Sequence, residues 1–279
     1  MIPSFKISGH NISSDHLIDL IIELDLLPVF VRRFIERSSS SSISPSEADQ
    51  TLYQQGFLRK ERISSPEELN FWLTTQDISE PQLSRQLFYS LQLEQFKHSK
   101  YSSQVENQFL ENKSNLDKVM YSMIRTKQRA KCYELYLRIT EEEDSFADLA
   151  SEFSEGVEQQ VNGLIGPLEL GTINVAIAER LRVSKQGQLW EPFQQDGWWV
   201  LLRLEKLLPA KLDDSMKRRI IDDLHNNWIR QKTKEELSSI LKHISDLRSD
   251  QAVTPASPEE TIKSSLLEKV WSKFSGSSS

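Results

Sequence analysis

The sequence contains a single cysteine, Cys132, which excludes an intrachain disulfide and a metal site built from several thiolates. The histidines, acidic residues and glycines also lack the spacing of a zinc site, a phosphate-binding loop or a nucleophile elbow. We therefore predict no metal and no cofactor. Cys132 itself is expected to pack on a helix face beside Tyr136.

Long apolar runs are also missing. The first apolar stretch, residues 17–31, is interrupted by acidic residues and by Pro28, so it resembles neither a membrane span nor a secretory signal. We therefore predict no membrane span and a cytoplasmic location. The formal net charge of −7 argues against a general nucleic-acid binder.

The first part of the chain has the periodicity of packed helices. Residues 13–37 carry apolar side chains at helical steps, and Pro28 suits the first turn of a second helix. Serine, proline and acidic residues begin three further segments, at Ser44, Ser65 and Ser79, as is typical of helix N-termini. The serines of residues 38–42 predict a flexible connection. The pattern as a whole predicts a helical domain that ends near residue 115.

A mixed pattern follows between residues 118 and 206. Lys118–Arg125 alternates its side chains and is rich in residues that favour strands. Two amphipathic helices are predicted next, the second capped by Asp144 or Ser145. Glycines that permit tight turns then precede Gly197–Leu204, an apolar run with the length of a buried strand. Helices and strands in this order predict an α+β fold.

Three segments of this region, in this order, resemble the parvulin family of peptidyl-prolyl isomerases. Asp144–Ser154 is similar to the family's acidic-Phe-x-x-Leu-Ala helix. Asn162–Pro167 resembles its Gly-Gly-x-Leu-Gly turn, with Asn162 in place of the first glycine. Gly197–Leu204 resembles its final Gly-Tyr-His strand. The helical region before them is similar to the N-terminal region of the SurA and PrsA foldases.

The resemblance implies a division into four parts. We expect a helical, chaperone-like domain in residues 1–115 and a small parvulin-like domain in 116–210, with an antiparallel-rich sheet and flanking helices. A long helix in 211–248 would return to pack on the N-terminal domain; an independent amphipathic helix or a dimer contact is the alternative. Residues 249–279 would form a flexible linker and a short helix, whose apolar segment 259–274 docks either on the body or on a partner.

The resemblance also places the family's active site on this sequence. Its polar positions fall near Ser122, Gly156 and Trp199, and none of these carries the family's histidine, cysteine or aspartate. All five histidines of the chain lie outside residues 116–210. Loss of these groups predicts weak or absent isomerase activity.

An apolar proline pocket is implied at Ile173, Ile177 and Leu181. An ordinary core stripe of a helix is the alternative interpretation of these three residues. Trp198 or Trp199 would add an aromatic surface to the pocket, because strand alternation sends adjacent side chains to opposite faces of a sheet. At least one tryptophan is therefore expected in the core.

Two functions remain open on the sequence. One is a parvulin-like isomerase or foldase that binds extended, unfolded or proline-containing polypeptide. The other is a non-catalytic chaperone or adaptor that escorts a client peptide, with a secretion machine as a further partner. Whether the protein is an enzyme is left open by its residues.

Overall fold

The structure, a computed structural model, describes residues 5–7, 10–12 and 14–251, with side chains at Ile12 and from residue 17 to residue 246. The predicted apolar segment 259–274 lies outside the described residues. The chain divides into two compact units. The first contains the residues up to Ser102 together with those from Ile221 onward, and the second contains Ser103–Ile220.

The first unit is mainly helical, as expected. Strands β1 (Phe5–Ile7) and β2 (His10–Ile12) form an antiparallel pair. The helices that follow are α1 (Ser14–Glu23), α2 (Leu27–Ser40), α3 (Glu47–Lys60), α4 (Pro66–Thr75) and α5 (Glu80–Tyr101). The last helix, α10, covers Asp214–Gln251 and enters this unit at Ile221.

Local hydrogen bonds explain where these helices begin. The Ser46 hydroxyl accepts a hydrogen bond from the backbone N–H of Asp49, and Ser65 does the same for Glu68. Both caps satisfy a backbone donor that has no partner inside the helix. Pro28 lies in the first turn of α2, which confirms the predicted break between the first two helices.

The serine run is not a flexible connection at its start. Helix α2 continues through Ser40, so the prediction for residues 38–42 was wrong over its first three residues. Ser40 is buried, and its hydroxyl donates to the Arg37 carbonyl at 3.3 Å. Because serine hydroxyls can bond back to helix carbonyls, a serine run is compatible with the last turn of a helix.

Helix α10 packs on two helices within the first unit. The Lys97 ammonium on α5 lies 2.7 Å from the Asp222 carboxylate, and Arg32 on α2 donates to the Asn226 amide oxygen at 3.2 Å. Ile229, one turn further along α10, is fully buried. The division at residues 115, 210 and 248 into independent domains stays a prediction, since compactness does not by itself establish independent folding.

The second unit is built on a four-stranded antiparallel sheet with the strand order β4-β3-β6-β5. Its strands are β3 (Lys118–Thr126), β4 (Leu164–Glu169), β5 (Leu189–Gln195) and β6 (Trp198–Leu208). Its helices are α6 (Val105–Leu116), α7 (Arg129–Thr140), α8 (Phe146–Phe153) and α9 (Val175–Val183). This arrangement confirms the α+β fold class and its antiparallel-rich sheet with flanking helices.

A hydrophobic cluster covers each face of this sheet. On one face, Val119, Tyr121 and Met123 of β3 pack with Ile177 and Leu181 of α9. On the opposite face, Ile124 packs with residues of α7 and α8, among them Cys132, Leu135 and Phe146. We call these the α9 face and the α7–α8 face. Cys132 is fully buried beside Tyr136, as expected.

Candidate functional site

Ser122 and Trp199 lie on the α7–α8 face. The Ser122 hydroxyl is buried and donates to the Glu205 carboxylate at 2.6 Å. Trp199 packs against the cluster of that face, with its ring 6.4 Å from the Tyr133 ring. Two of the three positions expected to correspond to the family's polar set are therefore separated by the sheet from Ile177 and Leu181.

Tyr121 is the neighbour of Ser122 that belongs to the α9 face. Its side chain is buried, and burial raises the pKa of its phenol above the ordinary value. The sequence analysis placed the family's polar position near Ser122 and gave Tyr121 no role. These two residues are neighbours on β3, and a shift of one residue along a strand moves a side chain to the opposite face of the sheet.

The third position, Gly156, lies just before a short 3₁₀ helix, Val157–Val161. A Cβ atom at Gly156 would overlap the Glu158 carboxylate and the Arg125 guanidinium. The space that a side chain of residue 156 would fill is therefore occupied by an ion pair between two other residues.

This ion pair joins β3 to the 3₁₀ helix that follows Gly156. Arg125 Nε lies 3.0 Å from Glu158 Oε1 and Nη2 lies 2.5 Å from Oε2, a bidentate geometry. The Ser154 hydroxyl also donates to Glu158 Oε1, at 2.7 Å. The Glu158 side chain has no exposed surface, whereas 28% of the Arg125 side chain is exposed.

The electrostatics of the pair favour the ionised state. Burial alone would raise the pKa of Glu158, but the hydrogen bonds from Arg125 and Ser154 outweigh it and hold the pKa below the ordinary value. The same contact with Glu158 raises the pKa of Arg125. The pair is therefore fully charged at neutral pH and has no net charge.

The predicted pocket residues lie together, but they differ in exposure. Ile173, Ile177, Leu181 and Trp198 all contribute to the cluster of the α9 face. Leu181 has no exposed surface and Ile177 is only 7% exposed, so in this conformation they are core residues. Ile173 precedes α9 and does not lie on its stripe. Ile173 and Trp198 are partly buried and reach the surface.

Trp198 is the centre of a partly exposed surface. The Lys127 ammonium lies 3.4 Å from the centroid of its ring, and Arg125 Cζ lies 5.8 Å away. Beside Ile173, Asn174 donates to the Asp196 carboxylate at 3.3 Å, which joins the start of α9 to the turn before Trp198. We call Arg125, Lys127, Ile173 and Trp198 the Trp198 patch. It offers an apolar contact area bordered by N–H donors.

Sequence reasoning placed Arg125 on the same strand face as Tyr121 without assigning it a role. The alternation of β3 was sufficient to find it, because a cation on the core side of a strand requires a partner. Glu158 gave no such signal, since it lies 33 residues from Arg125 and outside the regular elements that the pattern predicts.

A separate apolar surface occurs in the first unit. Phe30 and Phe34 on α2 are both mostly exposed, and their rings stack with centroids 6.4 Å apart. Exposed aromatic pairs of this kind often mark contact surfaces for other polypeptides.

Residues 14–251 and the two N-terminal strands contain no helix that combines the length and the apolar character of a membrane span. Among the same residues, no group of three or more acidic, histidine or cysteine side chains is arranged to hold a metal ion.

One family model matches most of the second unit. Residues 96–206 match the family model for the rotamase, or PPIC-type PPIase, domain. The chain therefore contains a parvulin-type domain, as the sequence motifs predicted. No curated protein matches the chain.

Several solved structures are similar to this chain. PrsA, a peptidylprolyl isomerase from Bacillus cereus, is 14% identical over 97% of both chains, with a TM-score of 0.45. One of two SurA-like chaperones from Campylobacter jejuni, PEB4 and Cj1289, is 14% identical over 91% of this chain and 99% of that chain, with a TM-score of 0.34. The parvulin domain of Escherichia coli PpiD is 23% identical over 35% and 95%, with a TM-score of 0.31.

Proposed function

We propose that this protein binds extended apolar polypeptide through its parvulin-type domain and its N-terminal helices, with weak or absent isomerase activity. The observation that carries the proposal is that Ser122 and Trp199 lie on the α7–α8 face of the sheet. An apolar surface with N–H donors remains around Trp198 on the α9 face. The exposed Phe30–Phe34 pair supports a second contact surface on the helices.

The chemistry of the reaction explains the expected loss of activity. Rotation about an X–Pro bond has a barrier of roughly 18–20 kcal/mol. An isomerase lowers this barrier only through groups that interact more strongly with the twisted amide than with the planar one. On the α9 face, Tyr121 is buried and Leu181 belongs to the core, so neither offers such a group to a bound proline.

A direct assay tests this part of the proposal. Isomerisation of an X–Pro peptide, followed without a coupling protease, should be at least about a hundredfold slower than with an active parvulin, since polar assistance contributes roughly 10²–10⁴ in rate. Comparable turnover would contradict it.

Binding requires a separate measurement. Tryptophan fluorescence should change on titration with an unfolded polypeptide, with a dissociation constant on the order of micromolar because few side chains are buried and ordering costs offset part of the gain. Ile173→Ser and Phe34→Ser should each weaken binding, whereas Val157→Ser, at an exposed residue of the second unit, should not. Equal affinity of all four proteins would remove this role from both surfaces.

We also propose a cytoplasmic location. The alternative function is a client-escort role. If isomerase activity is absent and binding persists, the protein acts as a non-catalytic chaperone or adaptor. Delivery of the client to a secretion machine is the further step of this alternative. Fractionation of cells that express the full-length protein tests the location, and co-purification with a membrane transporter tests the delivery step.

A further inference from the structure

The guanidinium of Arg125 has an edge that Glu158 does not use. Glu158 binds Nε and Nη2, which together form one side of the planar group. Nη1 has no hydrogen-bond partner among the described residues. Because a guanidinium presents its N–H groups in a fixed fork, the edge formed by Nη1 and the second N–H of Nη2 faces away from Glu158.

This edge lies beside the Trp198 ring, which the Lys127 ammonium also contacts. Arg125 Cζ is 5.8 Å from the centroid of the Trp198 ring, and the Arg125 side chain is partly exposed. Residues of an extended peptide repeat about every 3.3 Å. A peptide that packs on Trp198 therefore places a main-chain carbonyl within one or two residues of the guanidinium.

We infer that Arg125 donates hydrogen bonds from this edge to a backbone carbonyl of a polypeptide held on Trp198, and that Glu158 is the positioning residue for Arg125. The inference rests on the proposed function and names the polar contact within it. The ligand group that Arg125 recognises is a main-chain carbonyl of the peptide.

The charge of the pair favours a carbonyl over a carboxylate as the acceptor. Glu158 neutralises Arg125, so the pair attracts a distant anion only weakly, while its N–H groups remain strong donors at short range. Glu158 also fixes the guanidinium before binding, which reduces the side-chain entropy lost when the peptide is bound.

The same contact explains binding without efficient catalysis. A donor on the amide oxygen favours the planar, resonance-stabilised peptide bond and not the twisted one. Interactions that stabilise the ground state do not raise the rate of the chemical step. Arg125 is therefore a binding residue, and its loss should not lower isomerisation at saturating peptide.

Arg125→Lys is the informative variant, because a lysine keeps the positive charge beside Glu158 and lacks the second edge of the fork. The matched control is Arg129→Lys, since Arg129 is exposed and lies 5.3 Å from the Trp199 ring on the opposite side of the sheet. The probe is a capped, uncharged octapeptide of Leu, Phe, Val and Pro, titrated against the full chain. A second probe carries two aspartates in place of two of its apolar residues.

We expect Arg125→Lys to weaken binding of the uncharged probe about tenfold or more, as for loss of a hydrogen bond to a charged group, with little dependence on salt. Arg129→Lys should bind as the parent protein does. Urea unfolding of each variant establishes that it is folded. If Arg125→Lys is too unstable, the double variant Arg125→Met/Glu158→Met replaces the pair with apolar residues and should show the same loss of binding.

The possible failures are distinguishable. If the parent protein binds neither probe, the proposed function is wrong and this inference fails with it. If the parent binds and Arg125→Lys binds equally well, while Ile173→Ser is weakened, only the role of Arg125 is overturned. A loss confined to the aspartate-bearing probe and abolished by salt would show recognition of an acidic side chain and contradict the main-chain contact.

Discussion

Removing the guanidinium of Arg125 should destabilise the second unit and reverse its response to acid. Glu158 is fully buried, and Arg125→Met leaves it with the Ser154 hydroxyl as its remaining side-chain partner among the described residues. Breaking a buried pair in this way costs roughly 3–5 kcal/mol. We expect about 3 kcal/mol, at the lower end, because Arg125 is partly exposed and water can replace part of its contact.

The Glu158 contribution to stability should respond to acid in opposite directions in the parent protein and in Arg125→Met. In the parent protein the pKa of Glu158 is lowered, so its contribution to stability is present above the unfolded pKa of about 4.3 and is lost as the pH falls through the folded pKa. In Arg125→Met, burial without the cation should raise the folded pKa above the unfolded value. The penalty is then present at neutral pH and is relieved as the pH falls, because the carboxyl becomes protonated.

The assay is urea unfolding, followed by tryptophan fluorescence, at pH 7 and at several values down to pH 4. Arg125→Met, Glu158→Gln and the double variant complete a cycle that isolates the coupling between the two residues. The double variant Arg125→Met/Glu158→Gln should be more stable than Arg125→Met. Additive effects, or an Arg125→Met protein that loses stability in acid as steeply as the parent, would refute the reasoning.

Three further predictions concern packing. Gly156→Ala should lower the free energy of unfolding by about 1–3 kcal/mol, because the added Cβ displaces a buried ion pair. Gly56→Ala in α3 has open space around it and should raise the free energy of unfolding by roughly 0.5–1 kcal/mol in the same urea-unfolding measurement. Burial raises the pKa of Cys132 to about 12, so a thiol reagent at pH 8 should modify it only after unfolding, and rapid labelling of the native protein would contradict this. Ile229→Ala should destabilise the first unit by about 2–5 kcal/mol in thermal unfolding, and equal stability to the exposed-site control Leu110→Ala would argue against its burial.

Local signals made much of the fold predictable. Ser46 and Ser65 form caps within three residues of themselves, so a short sequence motif is sufficient to locate the start of each helix. The alternation of β3 and β6 is equally local, and it placed Trp198 and Trp199 on opposite faces. The end of α2 was missed because serine hydroxyls satisfy helix carbonyls as readily as they form turns.

The site was less accessible from sequence because its contacts are not local. Arg125 and Glu158 are brought together only when the segment after α8 folds beside β3. The choice between Ser122 and Tyr121 depends on strand register, where an error of one residue changes the face. Leu181 satisfied the apolar pattern of a pocket, yet the same pattern describes a core position, and only the burial of its side chain separates the two.

The first unit is assembled from two separated pieces of the chain, and this sets the timing of its folding during synthesis. Helices α2 and α5 leave the ribosome well before Ile221 and the rest of α10 have been made. The intervening residues number more than a hundred, which at roughly 5–20 residues per second means a delay on the order of 5–20 s. Throughout that interval the side of α2 and α5 that α10 later contacts is uncovered. A nascent chain of this protein is therefore exposed to aggregation until α10 has been synthesised.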